Sequence, residues 1–274
     1  FSTWEFLSAK GINIIFPIPT LPIGCNEGSR MCGRYTLSAG HEALARAFLA
    51  EFADELKESW KPRYNITPGS GVVAILEDRD KGGRKADVLH WGLVPAWAKD
   101  VNIGYKLINA RAETIAEKPS FRDAFRYRRC LVPASGFYEW DRKVTPRQPY
   151  YFHPRKTGFM AMAGIWEYWL HPSGSEIYSV SLVTRKANKM MESIHHRMPL
   201  LLPKDCWPSW LNTDNVKPSI EGFLEEAESE DILEFHPVST AVNKATADSA
   251  DLIEEILTGE KSGPQLDLFD NSSL

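Results

Sequence analysis

The chain has 274 residues, 43% of them apolar and 11% aromatic, enough for one large domain or two small ones with a sizeable core. Its formal net charge of −4 argues against a protein that coats DNA. Residues 204–274, however, contain 4 Lys and Arg against 16 Asp and Glu, a balance of −12, so residues 1–203 carry +8. This asymmetry tilts the interpretation towards a polyanion-binding body with an acidic C-terminal region, with an ordinary solvated surface as the alternative. The basic charge is densest at Arg122, Arg126, Arg128, Arg129, Arg142, Lys143 and Arg147.

The four cysteines, at positions 25, 32, 130 and 206, form no Cys-x-x-Cys pair and no close Cys/His spacing. A zinc site or a disulfide framework is therefore not expected, and a reducing cytosol fits. The sequence has no run of eighteen apolar residues, so no transmembrane helix is predicted. We expect a cytoplasmic monomer that uses no cofactor.

Residues 1–30 are expected to be an upstream extension or a pro-segment. The stretch from Gly11 to Ile23 is apolar but contains three prolines, and the positive region that opens a signal peptide is missing. The chain also begins with Phe, which favours Met31 as the true start. A processed pro-segment is the second choice and a secretion signal the third.

The apolar stripe within residues 43–60, formed by Leu44, Phe48, Phe52 and Leu56, predicts an amphipathic helix. Shorter helices are predicted over residues 120–126, 187–194 and 219–228, and Lys81-Gly82-Gly83 predicts a hairpin connection. Apolar and β-branched runs predict strands over residues 72–76, 88–94, 130–133, 150–152, 159–165 and 177–184. Many short strands with scattered helices indicate an α+β fold built on antiparallel sheet. We expect a single domain over residues 31–257 and a flexible tail over residues 258–274.

Cys32 directly follows Met31, so removal of that Met would leave Cys32 as the first residue. A cysteine in that position carries a thiol and a free α-amine, which together can trap an aldehyde as a thiazolidine. The α-amine has a pKa of about 7.7–8.0, so part of it is nucleophilic at neutral pH. A small buried hydrophobic residue is the alternative role for a lone cysteine.

Four segments carry a resemblance to a known family: Met31-Cys32-Gly33-Arg34-Tyr35, residues 107–114, Gly136-Phe137-Tyr138-Glu139-Trp140, and residues 194–199. In this order they resemble the SRAP family, the SOS response-associated peptidases or abasic-site processing proteins, over roughly residues 31–257. The resemblance implies an α+β fold in which antiparallel sheets form a barrel-like core with peripheral helices. It also implies a covalent link between the N-terminal cysteine and the aldehyde of an abasic site in single-stranded DNA.

The resemblance implies four catalytic residues: Cys32, Asn109, Glu139 and His195. Cys32 matches the nucleophile, and the Asn109 amide would hydrogen-bond the amine or the sugar. A carboxyl among aromatic residues resists ionisation, so the pKa of Glu139 is expected to rise, which suits a general acid or base. His195 would transfer protons or hold a sugar hydroxyl. The alternatives are a turn asparagine, a salt-bridged glutamate and a surface histidine.

Further family positions imply contacts with DNA, at Arg34, Arg111 and Arg197 for the phosphates and at Trp97 for stacking on a base. A core role is the alternative for Trp97, and Pro68, Thr184 and Lys186 are expected to line the same groove. His236 matches a position for which a structural hydrogen bond is expected. The stretch 242–248 departs from the more basic family pattern, which puts the contacts made there in doubt.

The tail contains Gln265-Leu266-Asp267-Leu268-Phe269, which looks like the pentapeptide by which bacterial proteins bind the DNA polymerase sliding clamp. Gln265 would make polar contacts, while Leu266, Leu268 and Phe269 would bind the clamp surface. We therefore expect the clamp as a partner besides abasic single-stranded DNA.

The sequence thus predicts a bacterial protein of the DNA damage response that crosslinks to abasic sites at the replication fork through Cys32, with possible self-processing or lyase activity. Two alternatives stay open. One is a cysteine hydrolase that uses Cys32, His195 and Asn109 on amide bonds. The other is a single-strand-binding module in which Cys32 is inert.

Overall fold

A computed structural model describes residues 33–156, 158–171, 174–216, 218–227 and 232–257, with the backbone of two short strands before them. The strands are β1 Phe6–Leu7, β2 Asn13–Ile14, β3 Tyr35–Leu37, β4 Ala50–Phe52, β5 Arg63–Ile66, β6 Gly71–Glu77, β7 Arg84–Trp91, β8 Asn109–Arg111, β9 Arg129–Ala134, β10 Gly136–Asp141, β11 Gln148–Pro154, β12 Met160–Leu170, β13 Glu176–Lys186, β14 Arg197–Pro199 and β15 Leu233–Pro237. The α-helices are α1 His41–Phe48, α2 Asp54–Glu58, α3 Arg122–Tyr127, α4 Lys189–Glu192, α5 Trp207–Leu211 and α6 Ile220–Glu226.

The larger sheet closes on itself. Its strand order is β14-β13-β12-β9-β6-β7-β4, and β7 also pairs in parallel with β13, Ser179 opposite His90 and Val180 opposite Trp91. Strands β6, β7, β13, β12 and β9 therefore form a closed five-stranded barrel, which removes sheet edges. Its wall is lined by fully buried apolar residues such as Ile75, Leu131 and Ala163. The expected barrel-like α+β fold is confirmed.

A second sheet, with the strand order β15-β11-β10-β3-β5, lies beside the barrel. Strand β10 occupies its centre, antiparallel to both β11 and β3. The two sheets are joined where Ser135, between β9 and β10, donates its backbone N–H to Thr36 O at 2.7 Å. Strand β10 pairs with β3 at Gly136 and Phe137 and with β11 from Phe137 to Asp141, so its backbone is held by hydrogen bonds along its length.

The predicted long helix over residues 43–60 is wrong. Helix α1 ends at Phe48 because Leu49 takes a left-handed conformation, with φ of 50°, and the chain then runs as β4 alongside β7. Leu44 and Phe48 face the core from a helix, while Phe52 reaches the same core from a strand. The apolar spacing therefore correctly predicts a buried stripe, but a helix and a strand form this stripe and not one helix.

The other elements follow the predicted pattern with shifted bounds. Strands β6, β9, β11, β12 and β13 contain or overlap the predicted segments, and the hairpin at residues 81–83 joins β6 to β7. Helix α6 begins after Ser219, whose hydroxyl accepts the Gly222 N–H as an N-cap. The helix predicted over residues 187–194 is reduced to the single turn α4. Among the described residues, no helix is both long and apolar enough to span a membrane.

Candidate active site

Strand β10 carries Glu139 into a buried position at the centre of the second sheet. Glu139 lies opposite Tyr150 of β11 and is 2% exposed. Its Oε1 is 3.9 Å from Nδ1 of His195, and both side chains are almost entirely shielded from solvent. That separation is too long for a hydrogen bond and short enough for an ion pair when the imidazole is protonated. The structure therefore brings two of the predicted catalytic residues together.

His195 lies in the turn that follows α4, and its ring is held by the backbone. Nδ1 lies 3.1 Å from both the backbone N and the backbone O of Arg197, so the Arg197 backbone holds the ring in either tautomer. Nε2 is buried and has no hydrogen-bond partner among the residues that the structure describes. Burial lowers the pKa of His195; the contact with the Arg197 backbone opposes this, and the charges of His196, Arg142 and Arg197 reinforce it. The imidazole is thus kept neutral at pH 7 and can accept a proton.

Asn109 and Arg111 lie two residues apart on a strand, so their side chains point to the same face. Strand β8 runs parallel to β13, with Asn109 opposite Leu182 and Arg111 opposite Thr184. Asn109 is half-buried and Arg111 is exposed. Since β8 and β14 both flank the last residues of β13, the Asn109 strand and the turn that carries His195 belong to the same end of the barrel.

Arg197 and Thr184 lie below the surface. Arg197 is 5% exposed, and its guanidinium donates to both carboxylate oxygens of Glu113, at 2.6 and 2.9 Å, and to Thr184 O at 2.7 Å. Thr184 has no exposed surface. Its hydroxyl lies 3.4 Å from Ala110 O and 3.3 Å from Arg197 Nη2, so the place of Thr184 in a DNA groove stays a prediction that its burial does not favour. These Arg197 donors bind acceptors within the protein. A phosphate contact by Arg197 stays a prediction, and this geometry does not favour it.

Arg34 is also engaged by the protein. Its Nη1 donates to Asn65 Oδ1 at 3.1 Å and to Val242 O, and its Nη2 donates to Asn243 O at 3.0 Å. The guanidinium lies 5.9 Å from the ring of Trp140, whose Nε1 donates to Asn243 Oδ1 at 2.7 Å. Arg34 thus joins the start of β3 to the segment after β15, and its predicted phosphate contact remains a prediction.

Trp97 is 58% exposed, so the alternative that assigned it to the core is wrong. The turn that carries it is fixed, because Trp169 Nε1 donates to Ala98 O at 2.8 Å. Of the other predicted groove residues, Lys186 is exposed at the end of β13 and Pro68 is half-buried in the turn after β5. A rigidly placed, exposed indole suits stacking on a base.

Several predicted residues lie outside the part of the chain that the structure describes. They are the nucleophile Cys32 and the tail residues Gln265, Leu266, Leu268 and Phe269. Their roles stay predictions.

Two residues of the site were not singled out from the sequence. Glu113 binds Arg197 and belongs to the same motif as Asn109. Its position two residues after Arg111 in that motif is a sequence signal that marks it as a candidate. Asn65 binds three backbone carbonyls that are more than 170 residues away, which no local pattern reveals. The structural role expected for His236 is confirmed by its contact with Ile253 O at 2.8 Å. Within the described ranges, His, Cys, Asp and Glu side chains form no group that could hold a metal ion.

Comparison with known proteins identifies similar sequences over most of the chain. The family described as SOS response associated peptidase (SRAP) matches residues 31–245. Abasic site processing protein YoqW of Bacillus subtilis (strain 168) is 38% identical over 228 residues, 82% of this chain and 99% of YoqW. Abasic site processing protein HMCES of Gallus gallus is 32% identical over 267 residues, 84% of this chain and 79% of HMCES. A crystal structure of a protein from Bacteroides thetaiotaomicron shares the fold, with a TM-score of 0.74 at 24% identity over 82% of this chain and all of that one.

Proposed function

Because the chain belongs to the SOS response associated peptidase family, we propose that it processes abasic sites in DNA, the activity for which YoqW and HMCES are named. The proposed substrate is the ring-opened aldehyde of an abasic site in single-stranded DNA. The proposed nucleophile is Cys32, once it is the first residue of the chain. The adduct would shield the lesion from strand cleavage.

The proposed reaction releases one water. The α-amine of Cys32 attacks the aldehyde carbon, a C–N bond forms and the carbonyl oxygen becomes a hydroxyl. That hydroxyl leaves as water once it is protonated, which gives an imine. The thiolate then attacks the imine carbon, a C–S bond forms, and the imine nitrogen takes up the proton that the thiol lost. The product is a thiazolidine that joins the protein to C1′ of the sugar.

The buried pair of Glu139 and His195 carries this proposal. Loss of water needs an acid and thiol deprotonation needs a base, and two titratable groups 3.9 Å apart in a site with little solvent supply both. Their position also suits the nucleophile. Arg34 O accepts the Tyr138 N–H at 3.0 Å, beside Glu139, and only one residue, Gly33, separates Arg34 from Cys32. The length of two peptide units keeps the Cα atoms of Cys32 and Arg34 within about 7 Å of each other.

The test is an intact-mass measurement after protein beginning at Cys32 is mixed with a single-stranded oligonucleotide that carries one abasic site. We expect a species with the mass of protein plus DNA minus one water. Cys32→Ala lacks the thiol, and the full 274-residue chain lacks a free α-amine on Cys32, so neither should form the same product. Glu139→Gln and His195→Gln should form it more slowly with unchanged binding of DNA.

Other outcomes would favour other functions. If the Cys32-initiated protein forms no adduct, the proposal fails, and cleavage of peptides without DNA would then support a hydrolase. An adduct that goes on to a shortened oligonucleotide would identify lyase activity. Conversion of the full chain into a form that begins at Cys32 would identify the self-processing peptidase activity that the family name suggests.

We also propose that the tail binds the DNA polymerase sliding clamp through Gln265, Leu266, Leu268 and Phe269. The support is the sequence alone, a Gln-Leu-Asp-Leu-Phe peptide in an acidic region near the C-terminus. The measurement is binding of the full chain to a purified bacterial clamp. Leu268→Ala together with Phe269→Ala should abolish that binding and leave adduct formation intact, whereas equal binding by this variant would exclude the motif.

A further inference from the structure

The loop between β10 and β11 presents a run of cations next to His195. This basic loop, residues 142–147, follows directly from the strand that carries Glu139, and Arg142, Lys143 and Arg147 are exposed in it. We propose that the basic loop is a phosphate-contacting surface that holds single-stranded DNA over the Glu139–His195 pair. The inference rests on the proposed function, since it extends the DNA-binding surface of the same site.

The basic loop is fixed against the turn that carries His195. The Lys143 Nζ donates to Ser193 O at 2.8 Å, two residues before His195. The backbone N–H of Lys143 donates to Asp141 Oδ1 at 2.8 Å. These two hydrogen bonds hold Lys143, and with it the start of the basic loop, in a defined place, so less conformational entropy is lost when that part of the loop binds a ligand.

Arg142 is close enough to influence the site electrostatically. Its positive charge is one of the causes that lower the pKa of His195. The side chain is exposed, and a guanidinium has five N–H donors arranged to bind phosphate oxygens. A phosphate bound by Arg142 would therefore lie beside the buried acid and base.

The basic loop completes a cationic surface around the His195 turn. The end of β13 is joined to the same turn. The backbone of Lys186 pairs with that of Arg197 on β14, and the Ala187 N–H donates to His196 O at 3.1 Å. Lys186 is exposed, as is Arg111 on the next strand. Exposed cations therefore lie on several elements that are joined to the turn, and such cations supply the phosphate contacts that dominate binding to nucleic acids.

Two of the acidic side chains near the basic loop already bind groups of the protein. The Asp141 carboxylate accepts a hydrogen bond from the loop backbone, and Glu113 is bound to Arg197. Glu192 is exposed at the end of α4.

The test measures binding of the full 274-residue chain, with Cys32→Ala, to an undamaged single-stranded oligonucleotide by fluorescence anisotropy over a range of salt concentrations. We expect Arg142→Gln and Arg147→Gln to weaken binding about two- to fivefold each at low salt, the value of exposed ion pairs. The double variant should also lower the slope of log K against log salt by about 0.7 for each lost phosphate contact.

A matched control is the pair Arg122→Gln and Arg126→Gln on α3, which removes the same charge from two exposed residues away from the site. If both double variants change affinity and salt slope equally, the basic loop is only part of an ordinary solvated surface and the inference is overturned. Thermal unfolding should show all variants equally stable, because the exchanged side chains are exposed.

Failure of the proposed function is distinguished from failure of this inference, because the binding assay uses neither Cys32 nor a lesion. Loop-dependent binding without adduct formation would overturn only the crosslinking chemistry. Adduct formation without loop-dependent binding would overturn only the basic loop.

Discussion

The ion pair between Arg197 and Glu113 offers a sharp test of how the site is held. Glu113→Gln keeps the size of the side chain but removes the charge that faces a guanidinium whose side chain is 6% exposed. Removing one partner of a buried ion pair costs about 3–5 kcal/mol. The Glu113 side chain is 37% exposed and Gln still accepts a hydrogen bond, so we expect the free energy of unfolding to fall by about 2–3 kcal/mol.

The pH dependence of this loss has a defined sign. Partial burial opposes ionisation of Glu113, but the hydrogen bond and charge of Arg197, with the charge of Arg111, outweigh it and lower the pKa. A carboxylate with a lowered pKa stabilises the fold above its unfolded pKa of about 4.3, and this stabilisation disappears as the pH falls through the folded value. The difference between wild type and Glu113→Gln should therefore be full at pH 7 and shrink below about pH 4.

Urea unfolding at pH 7 and at pH 3 measures both quantities, with Glu117→Gln as a control that removes an exposed carboxylate four residues away. Single-turnover adduct formation supplies a second readout. Because His195 binds the Arg197 backbone, loosening of Arg197 should slow the adduct reaction more than it weakens DNA binding. A Glu113→Gln protein within about 0.5 kcal/mol of wild type at pH 7, the level of an ordinary surface change, would refute the reasoning.

Three further predictions concern separate parts of the molecule. Burial lowers the pKa of His195, so its neutral form persists below pH 6.5; a pH profile of adduct formation should show the corresponding acidic limb, and His195→Gln should remove it. Trp97→Ala should weaken DNA binding by about 1–3 kcal/mol in an anisotropy titration without lowering the melting temperature, because the exposed indole can stack on a base but supports no core. Arg129→Met should lower the free energy of unfolding in urea by about 3–5 kcal/mol, because it leaves buried carbonyls such as Trp210 O and Phe125 O without their donor.

The elements that could be predicted from the sequence are those whose pattern is local. Strand β6 is a short apolar run bounded by turn residues, and the predicted part of β13 alternates between apolar and polar residues, so both patterns are visible without knowledge of the pairing. The prediction of one helix over residues 43–60 is wrong because the position of Phe52 fits a helical and an extended spacing of apolar residues equally well. The extended conformation is stabilised by pairing of β4 with the edge of β7, about 34 residues away. A periodicity in the sequence carries no information about such a distant partner.

The same division holds for the site. Glu139, His195 and Asn109 lie within short motifs, so the sequence alone could single them out as candidates, and their catalytic roles stay predictions. Their supports are distant in the chain: Arg197 and Glu113 are 84 residues apart, and Arg34 and Val242 are 208 apart. Hydrogen bonds between such distant residues depend on the complete topology, so a resemblance could assign Arg34 and Arg197 to DNA without revealing that protein acceptors occupy their donors.

The segment after β15 shows why its departure from the family pattern need not alter the chemistry. Asn65 Nδ2 donates to Val242 O, Lys244 O and Ala247 O, at 3.2, 3.0 and 2.8 Å, and Arg34 donates to Val242 O as well. All these acceptors are backbone carbonyls, which every residue supplies whatever its side chain. Because these acceptors are main-chain atoms, Arg34 can keep its contacts when the side chains of Val242, Lys244 and Ala247 vary. The side chains of Asn243 and Asp248, in contrast, themselves accept hydrogen bonds, from Trp140 Nε1 and from the Tyr64 and Asn65 N–H groups.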